Sequence, residues 1–352
     1  MNEIVNKVLY DQSEISADCA NPLVFYGAGQ AFSNLYKEKT FDKIRLCDSD
    51  PNKIGTKICG ITVQAFKDVV EQDNDFQLVI SSRIHYSEIK EYVCRFINES
   101  RIVQIPSSYL NYYHLWKHHA EELGVLYNAL YGDYSKETLI DIIKAHKYNN
   151  AAYFPSSGKK DDEYFDREII NLSQNEVFID GGAYNGDTLL SFTKKTKNIF
   201  KSAYCFEPNY QLMKKIPIAL PENESRITLL NKGLWDSDGF ASFDINPGGK
   251  QGSSKISHQG KAIIETTTID NCISEEVTFI KLDIEGAELA ALRGAKRTIL
   301  KNKPKLAICV YHKAEDIIEI PRFIMNLGLD YKYYLRQYVP SFATPNTVFY
   351  AV

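Results

Sequence analysis

The chain has 352 residues, 44% of them hydrophobic and 24% charged, which is enough apolar mass for two packed domains of about 150 residues each and excludes disorder, collagen and coiled coil. A formal charge of only −4 argues against a nucleic-acid protein that works by phosphate neutralisation. The seven cysteines are scattered without a Cys-x-x-Cys pair, as in a reduced, cytoplasmic protein, and no apolar run approaches the roughly eighteen residues of a membrane span. Asp11, Glu14 and Asp18 interrupt what would be the apolar core of a signal peptide.

In chain order, Leu23-Val24-Phe25-Tyr26 predicts a short buried strand that stops at Gly27-Ala28-Gly29. A second strand over 43–47 ends at the turn cluster Asp48-Ser49-Asp50-Pro51, and further strands are expected at 61–63 and 76–81, with helices over 67–71 and 86–97. Alternation of this kind indicates a parallel α/β sheet, ending near Pro106. Residues 112–147 read as a helical hairpin broken at Tyr131-Gly132-Asp133, with Ser135 as a helix start; 149–162 is polar and loop-like. A second α/β unit follows, with strands at 177–179, 202–206, 227–230, 278–282 and 306–311 and a terminal strand pair at 331–335 and 347–351. The expected domains are therefore 1–108, a helical linker at 109–150, and 151–352.

The strongest local signal is Asp180-Gly181-Gly182-Ala183-Tyr184-Asn185-Gly186-Asp187-Thr188. A strand delivers the chain to a glycine turn, Thr188 is placed to cap the next helix, and the free N–H groups there suit a nucleotide-type ligand. Glu207-Pro208 ends the following strand about twenty residues on, where an acid accepts both ribose hydroxyls of a nucleoside. Asn231 and Trp235 follow the third strand, where a purine would lie; Trp235 serves equally well as core. After the fourth strand come Asp283 and Glu285, and after the fifth His312; these are the expected catalytic residues, with His312, an imidazole mostly neutral at neutral pH, as the base facing Asp283, and Asp283 either orienting it or serving as base itself.

From Tyr164 to the C-terminus the chain resembles the FkbM family of S-adenosylmethionine-dependent methyltransferases. The resemblance rests on Glu163-Tyr164-Phe165, on the run from Val177 to Tyr184, on Phe206-Glu207-Pro208 and Thr267-Thr268-Ile269-Asp270, and on the run from Phe279 to Glu288, with Leu335-Arg336-Gln337-Tyr338 and Thr347-Val348-Phe349-Tyr350 near the end. Tyr184 stands where generic members of the wider class often carry a third glycine. The resemblance implies a class I methyltransferase fold, a Rossmann-like doubly wound sheet with a C-terminal antiparallel strand pair. It implies S-adenosylmethionine as cofactor, with Asp180, Gly182 and Gly186 around its methionine part and Glu207 on the ribose. It also implies O-methylation of a sugar or another hydroxylated metabolite.

Tyr26-Gly27-Ala28-Gly29-Gln30 with Asp48 to Gly55 resembles the small Rossmann-like front domain of nucleotide-sugar acyltransferases; Phe32 replaces the third glycine of a dinucleotide fingerprint. That implies glycan-related work and either a nucleotide-sugar or a scaffold and dimerisation role at the front, a homo-oligomer being one expected assembly. The leading expectation is a cytoplasmic O-methyltransferase acting on a sugar, nucleotide-sugar or glycan precursor; the alternative is a non-catalytic nucleoside-binding or scaffolding protein of glycan assembly. No metal is assigned, although Asp283, Glu285 and His312 are ligand types a divalent ion accepts. His114, His118 and His119 read as a solvated helix face, and the glycine-rich stretch 248–254 as a loop near the acceptor pocket.

Overall fold

The structure is a computed structural model describing residues 2–10, 22–29, 32, 33, 36, 44–73, 75–82, 85–103, 111–148, 151–155, 163–216, 225–244, 255, 256, 262–340 and 346–352. The stretch 248–254 lies outside these. The chain divides into one unit of residues 1–128, 136–157 and 339–345, and another of residues 129–135, 158–338 and 346–352.

In the first unit, β1 (Leu23–Tyr26), β2 (Ile44–Asp48), β3 (Lys57–Ile58), β4 (Ile61–Ala65) and β5 (Gln77–Ile80) form a sheet in the order β3-β4-β2-β1-β5. β4, β2, β1 and β5 run parallel, and β3 returns antiparallel beside β4. Every residue of β1 is buried, so its sequence is a continuous apolar run and not an alternation. Phe66–Gln72 and Tyr86–Val93 are helices. The helical stretch holds three helices, Asn111–His118, Ala120–Ala129 and Asp133–Tyr148. Ser135 lies in the first turn of the last one and does not start it.

In the second unit, β6 (Val177–Gly181), β7 (Ser202–Phe206), β8 (Ile227–Leu230), β13 (Phe279–Leu282), β14 (Lys305–Cys309), β15 (Tyr333–Gln337) and β16 (Thr347–Ala351) form a seven-stranded sheet, ordered β15-β16-β14-β13-β6-β7-β8. All pairings are parallel except those of β16, which runs antiparallel to both its neighbours. This is the mixed α/β sheet with a terminal antiparallel pair that the sequence predicts. Strand order reverses beside β6, which has β7 on one side and β13 on the other; ligands of open α/β sheets bind at the carboxyl ends of strands at such a point. Under the sheet Phe178 stacks on Phe192 at 4.5 Å between ring centres, with Phe165 and Phe279 against the same cluster. Each such ring contributes about 1.5–3 kcal/mol by leaving water.

A second sheet was not expected from the sequence. β9 (Gly233–Leu234), β10 (Gly239–Asp244), β11 (Lys255–Ile256) and β12 (Ala262–Thr267) are ordered β11-β10-β12-β9. Phe240 and Ile263 are 79% and 68% exposed, so apolar residues stand on its open face and the in–out alternation that marks a strand is blurred.

Candidate functional site

β6 ends in the glycine turn. Gly181 pairs with Phe206 of β7 and with Leu282 of β13, and the Gly182 and Ala183 N–H groups both donate to the Phe206 carbonyl. Gly182 (φ +76°) and Gly186 (φ +89°) take the left-handed conformation that favours glycine, and Tyr184 takes it too, at φ +48°. That is the position where a third glycine is common in the wider class, so the tyrosine adopts the glycine-like backbone at some strain. The following helix starts at Asp187 with Gly186 as its N-cap. Thr188 therefore does not cap it; it lies within the first turn, its N–H bonded to Asp187 Oδ1 at 2.8 Å.

Asp180 is fully buried. Its Oδ1 accepts from Lys281 Nζ at 3.0 Å, and the same ammonium donates to the carbonyls of Gly181 (3.0 Å) and Gly182 (2.9 Å). Burial opposes the Lys281 charge, but Asp180 and Asp283 outweigh it and hold the lysine cationic. The lysine was not singled out from the sequence, although a charged residue inside the apolar run of β13 was the available signal. Asp180 Oδ2 is buried without a hydrogen-bond partner, an acceptor placed to receive a ligand's polar hydrogen.

Glu207 reaches the same turn. Its Oε2 accepts the Tyr184 N–H at 3.0 Å and its Oε1 the Asn209 N–H at 2.8 Å, leaving each oxygen a further lone pair. Burial pushes its carboxyl above the ordinary range, against those two bonds. Asn231 steadies this loop by donating to the carbonyls of Glu207 (2.8 Å) and Pro208 (2.9 Å). Trp235 is half-buried just after β9, its backbone N–H bonded to Thr267 and its carbonyl against Gly294.

Asp283 and His312 follow β13 and β14, whose ends are in register at Leu282 and Ile308. The Asp283 N–H donates to the Gly181 carbonyl, which ties this acid to the glycine turn. Asp283 Oδ2 accepts from the Tyr164 hydroxyl at 2.8 Å and Oδ1 from the Tyr311 hydroxyl at 3.2 Å. Burial would raise its carboxyl, but Lys281, then His312 and the two phenols, hold it below the usual range. His312 Nε2 lies 3.3 Å from Asp283 Oδ1 and 3.7 Å from Glu285 Oε2, and Nδ1 lies 2.9 Å from Glu288 Oε1. The expected facing of His312 and Asp283 is thus present. The expected charge state is not: burial disfavours the imidazolium, but Glu288, then Asp283 and Glu285, raise its pKa to about 9. At neutral pH the ring is protonated, where the sequence reading takes it as neutral.

Burial and then the Asp283 charge push the Glu163 carboxyl up to about 7, opposed by Asn346, whose Nδ2 donates to Glu163 Oε1 at 2.7 Å. Glu163 was noted in the sequence only as part of a motif, and Glu288 not as a site residue at all. Elsewhere, His119 pairs with Glu122 at 3.0 Å. In the first unit Asp48 Oδ1 accepts the Asp50 N–H (2.9 Å) while Oδ2 accepts the Ala28 N–H (2.8 Å) and Lys53 Nζ (3.0 Å).

A doubly wound sheet with a glycine turn after its first strand, an acid after its second and ionisable groups after its fourth and fifth is the frame that the class I methyltransferase fold calls for. Residues 180–333, within the second unit, match the family model described as Methyltransferase FkbM domain. The crystal structure of a methyltransferase FkbM from Methylobacillus flagellatus shares the fold, with a TM-score of 0.71, 22% identity and coverage of 99% of this chain and 97% of that one. The hexuronic acid methyltransferase AglP of Haloferax volcanii is 34% identical over 101 residues, 26% of this chain. The match spans 41% of that relative's length. The cofactor of such a domain is S-adenosylmethionine, and the residues present fit it: Asp180 Oδ2 is an unused buried acceptor and Glu207 keeps lone pairs for two hydroxyls. No helix among the described residues is long and apolar enough to cross a membrane.

Proposed function

We propose that this protein transfers a methyl group from S-adenosylmethionine to a hydroxyl of a sugar, nucleotide-linked sugar or glycan precursor. The observation that carries the reading is the convergence of Asp180, Glu207 and Asp283 on the one glycine turn between β6, β7 and β13. The likeness to a hexuronic acid methyltransferase supports a sugar acceptor.

In this reading Asp180 Oδ2 receives the amino group of the methionine part and Glu207 the ribose hydroxyls. Lys281 keeps the two glycine carbonyls and Asp180 in place, so the cofactor binds to a turn already formed and little ordering remains at the moment of reaction. Asn231 holds the Glu207 loop, and Trp235 lies on the purine side. The bound sulfonium supplies an electrophilic methyl that needs no further activation. What remains is to align the acceptor oxygen and to take its proton.

His312 is poorly suited to take that proton, because its imidazolium is already formed at neutral pH. Glu163 is the better base, since a carboxyl near pH 7 combines a large ionised fraction with useful basicity. Asp283, Tyr164 and Tyr311 orient the acceptor beside it. In the first unit both Asp48 oxygens are engaged, by Asp50 and Lys53 of the turn that follows and by Ala28 of the turn after β1, and that unit has no part in the proposal.

The experiment is calorimetry with S-adenosylmethionine, followed by incubation with glucuronate-bearing acceptors and mass spectrometry for one added methyl group. Absence of cofactor binding overturns the reading. Binding without methylation of any hydroxylated sugar leaves the nucleoside-binding scaffold in its place.

A further inference from the structure

Both nitrogens of the His312 ring face carboxylates. Nδ1 lies 2.9 Å from Glu288 Oε1, and Nε2 lies 3.3 Å from Asp283 Oδ1 and 3.7 Å from Glu285 Oε2. A neutral imidazole carries one N–H and one lone pair, whereas the imidazolium carries two N–H groups. Either neutral tautomer would therefore turn a lone pair onto an acceptor-only oxygen, at Glu288 on one side or at Asp283 on the other. Only the doubly protonated ring is attracted on both sides.

Glu288 is what makes that cation permanent. It is the first residue of the helix Glu288–Arg293 and is fully buried. Its Oε1 also accepts the Ile284 N–H at 2.8 Å, and its Oε2 has no hydrogen-bond partner. His312 is its one cationic partner among the described residues, and a buried carboxylate without such a partner is costly. Glu288 thus grips two things at once: the ring that pairs with Asp283, and the backbone of the residue that follows Asp283. The loop between needs such a grip, since Glu285 and Gly286 both take the left-handed conformation, at φ +57° and +92°. Three further groups surround the ring. The Tyr311 ring centre is 4.1 Å away, and the Lys313 side chain lies over Gly286. Asp316, at the start of the helix Asp316–Met325, accepts the Lys313 N–H at 2.7 Å. Burial and then the Glu288 charge push the Asp316 carboxyl up to about 7, and among the described residues it makes no ion pair with the ring.

We propose that Glu288 and His312 are positioning residues for methyl transfer: Glu288 holds the ring in its doubly protonated form, and the ring holds the Asp283 carboxylate where it meets the acceptor. The role rests on the methyl-transfer reading. The Tyr164 and Tyr311 hydroxyls bond Asp283 at 2.8 and 3.2 Å, but a neutral phenol does not answer its charge; the imidazolium does. Loss of the ring proton from Nε2 sets a lone pair against Asp283 in place of an N–H, and the carboxylate moves off the acceptor. A displacement of about 1 Å costs up to about 100-fold in rate. Cofactor affinity does not pass through Glu288, whose contacts are Ile284 and His312.

The test is the pH dependence of kcat for the full-length protein with a glucuronate-bearing acceptor, read beside the titration of the His312 ring by NMR on ¹³C-histidine-labelled protein. The wild-type ring should titrate near pH 9, and kcat should hold up to that pH and fall above it. Glu288→Gln keeps an oxygen for the Ile284 N–H and removes the charge. It should lower the ring's midpoint by about one pH unit or more, and move the alkaline limb of kcat down by the same amount, with S-adenosylmethionine affinity unchanged by calorimetry. His312→Gln, which keeps Glu288 in place, should lack the alkaline limb and lose roughly 10–100-fold in kcat. A wild-type midpoint below pH 7, an alkaline limb that stays in place in Glu288→Gln, or wild-type kcat in His312→Gln overturns the proposal. Absence of methylation by a wild type whose ring titrates near pH 9 overturns instead the methyl-transfer reading, and this role with it.

Discussion

The α-carbon of Gly182 lies so close to the carbonyl oxygen of Asp283 that a Cβ built on it would stand 1.9 Å from that oxygen. Two strands that meet only in the folded sheet are therefore locked together by the absence of one side chain. Gly182→Ala should force the turn and the Asp283 backbone apart, and φ +76° adds strain of its own. The expected loss is about 2–4 kcal/mol of stability, from overpacking against rigid backbone together with the left-handed conformation. Thermal denaturation measures it. An unchanged Tm would mean that the turn is looser than this contact implies.

Glu207→Ala should weaken S-adenosylmethionine binding by about 1–3 kcal/mol, because the ribose loses its charged acceptor and the Tyr184 and Asn209 N–H groups lose theirs. Calorimetry on a variant with wild-type secondary structure reads it directly. Equal affinity would remove Glu207 from the ribose.

Glu163 gives the reaction its pH dependence. With a carboxyl pushed up to about 7, the base form is lost as pH falls through 7, so kcat should decline about tenfold per pH unit on the acidic side. Glu163→Gln should lower kcat by roughly 10²–10⁴ and abolish that limb while leaving cofactor affinity in place. The raised carboxyl also has a stability consequence. Folding favours its protonated form, so its contribution is fully present below about pH 4.5 and is lost as pH rises through 7. The Gln variant should accordingly melt no lower than the wild type at pH 8.

Glu176 works with the opposite sign. It is fully buried at the entry to β6, where burial opposes its charge but Lys305 at 2.5 Å, the Ser173 N–H at 2.6 Å and the Thr278 hydroxyl hold its carboxyl below the ordinary range. A depressed folded pKa contributes stability that is present above the unfolded value of about 4.5 and is lost as pH falls through the folded value. Wild-type Tm should drop steeply on acidification below about pH 4.5. Glu176→Gln should be less stable at pH 7 by about 1–3 kcal/mol and should show a shallower acid slope.

The seven strands of the larger sheet, the parallel strands of the first unit and the glycine turn at 180–188 were legible in the sequence, because the signals that make them are local: continuous apolar runs, a glycine pair at a strand end, an acid at the next one. The same locality placed Asp283 and His312 at neighbouring strand ends, since parallel strands in one sheet finish on one edge. The small sheet of β9 to β12 was not legible, because exposed Phe240 and Ile263 blur the alternation that identifies a strand. Tertiary structure alone decided what each ionisable group is. Tyr164 meets Asp283 across 119 positions of sequence and Lys281 meets Asp180 across 101. Three carboxylates from one helix start and one strand exit turn His312 into a cation. Protonation state is a sum over neighbours in space, weighted by burial, and the sequence order of those neighbours carries almost none of it.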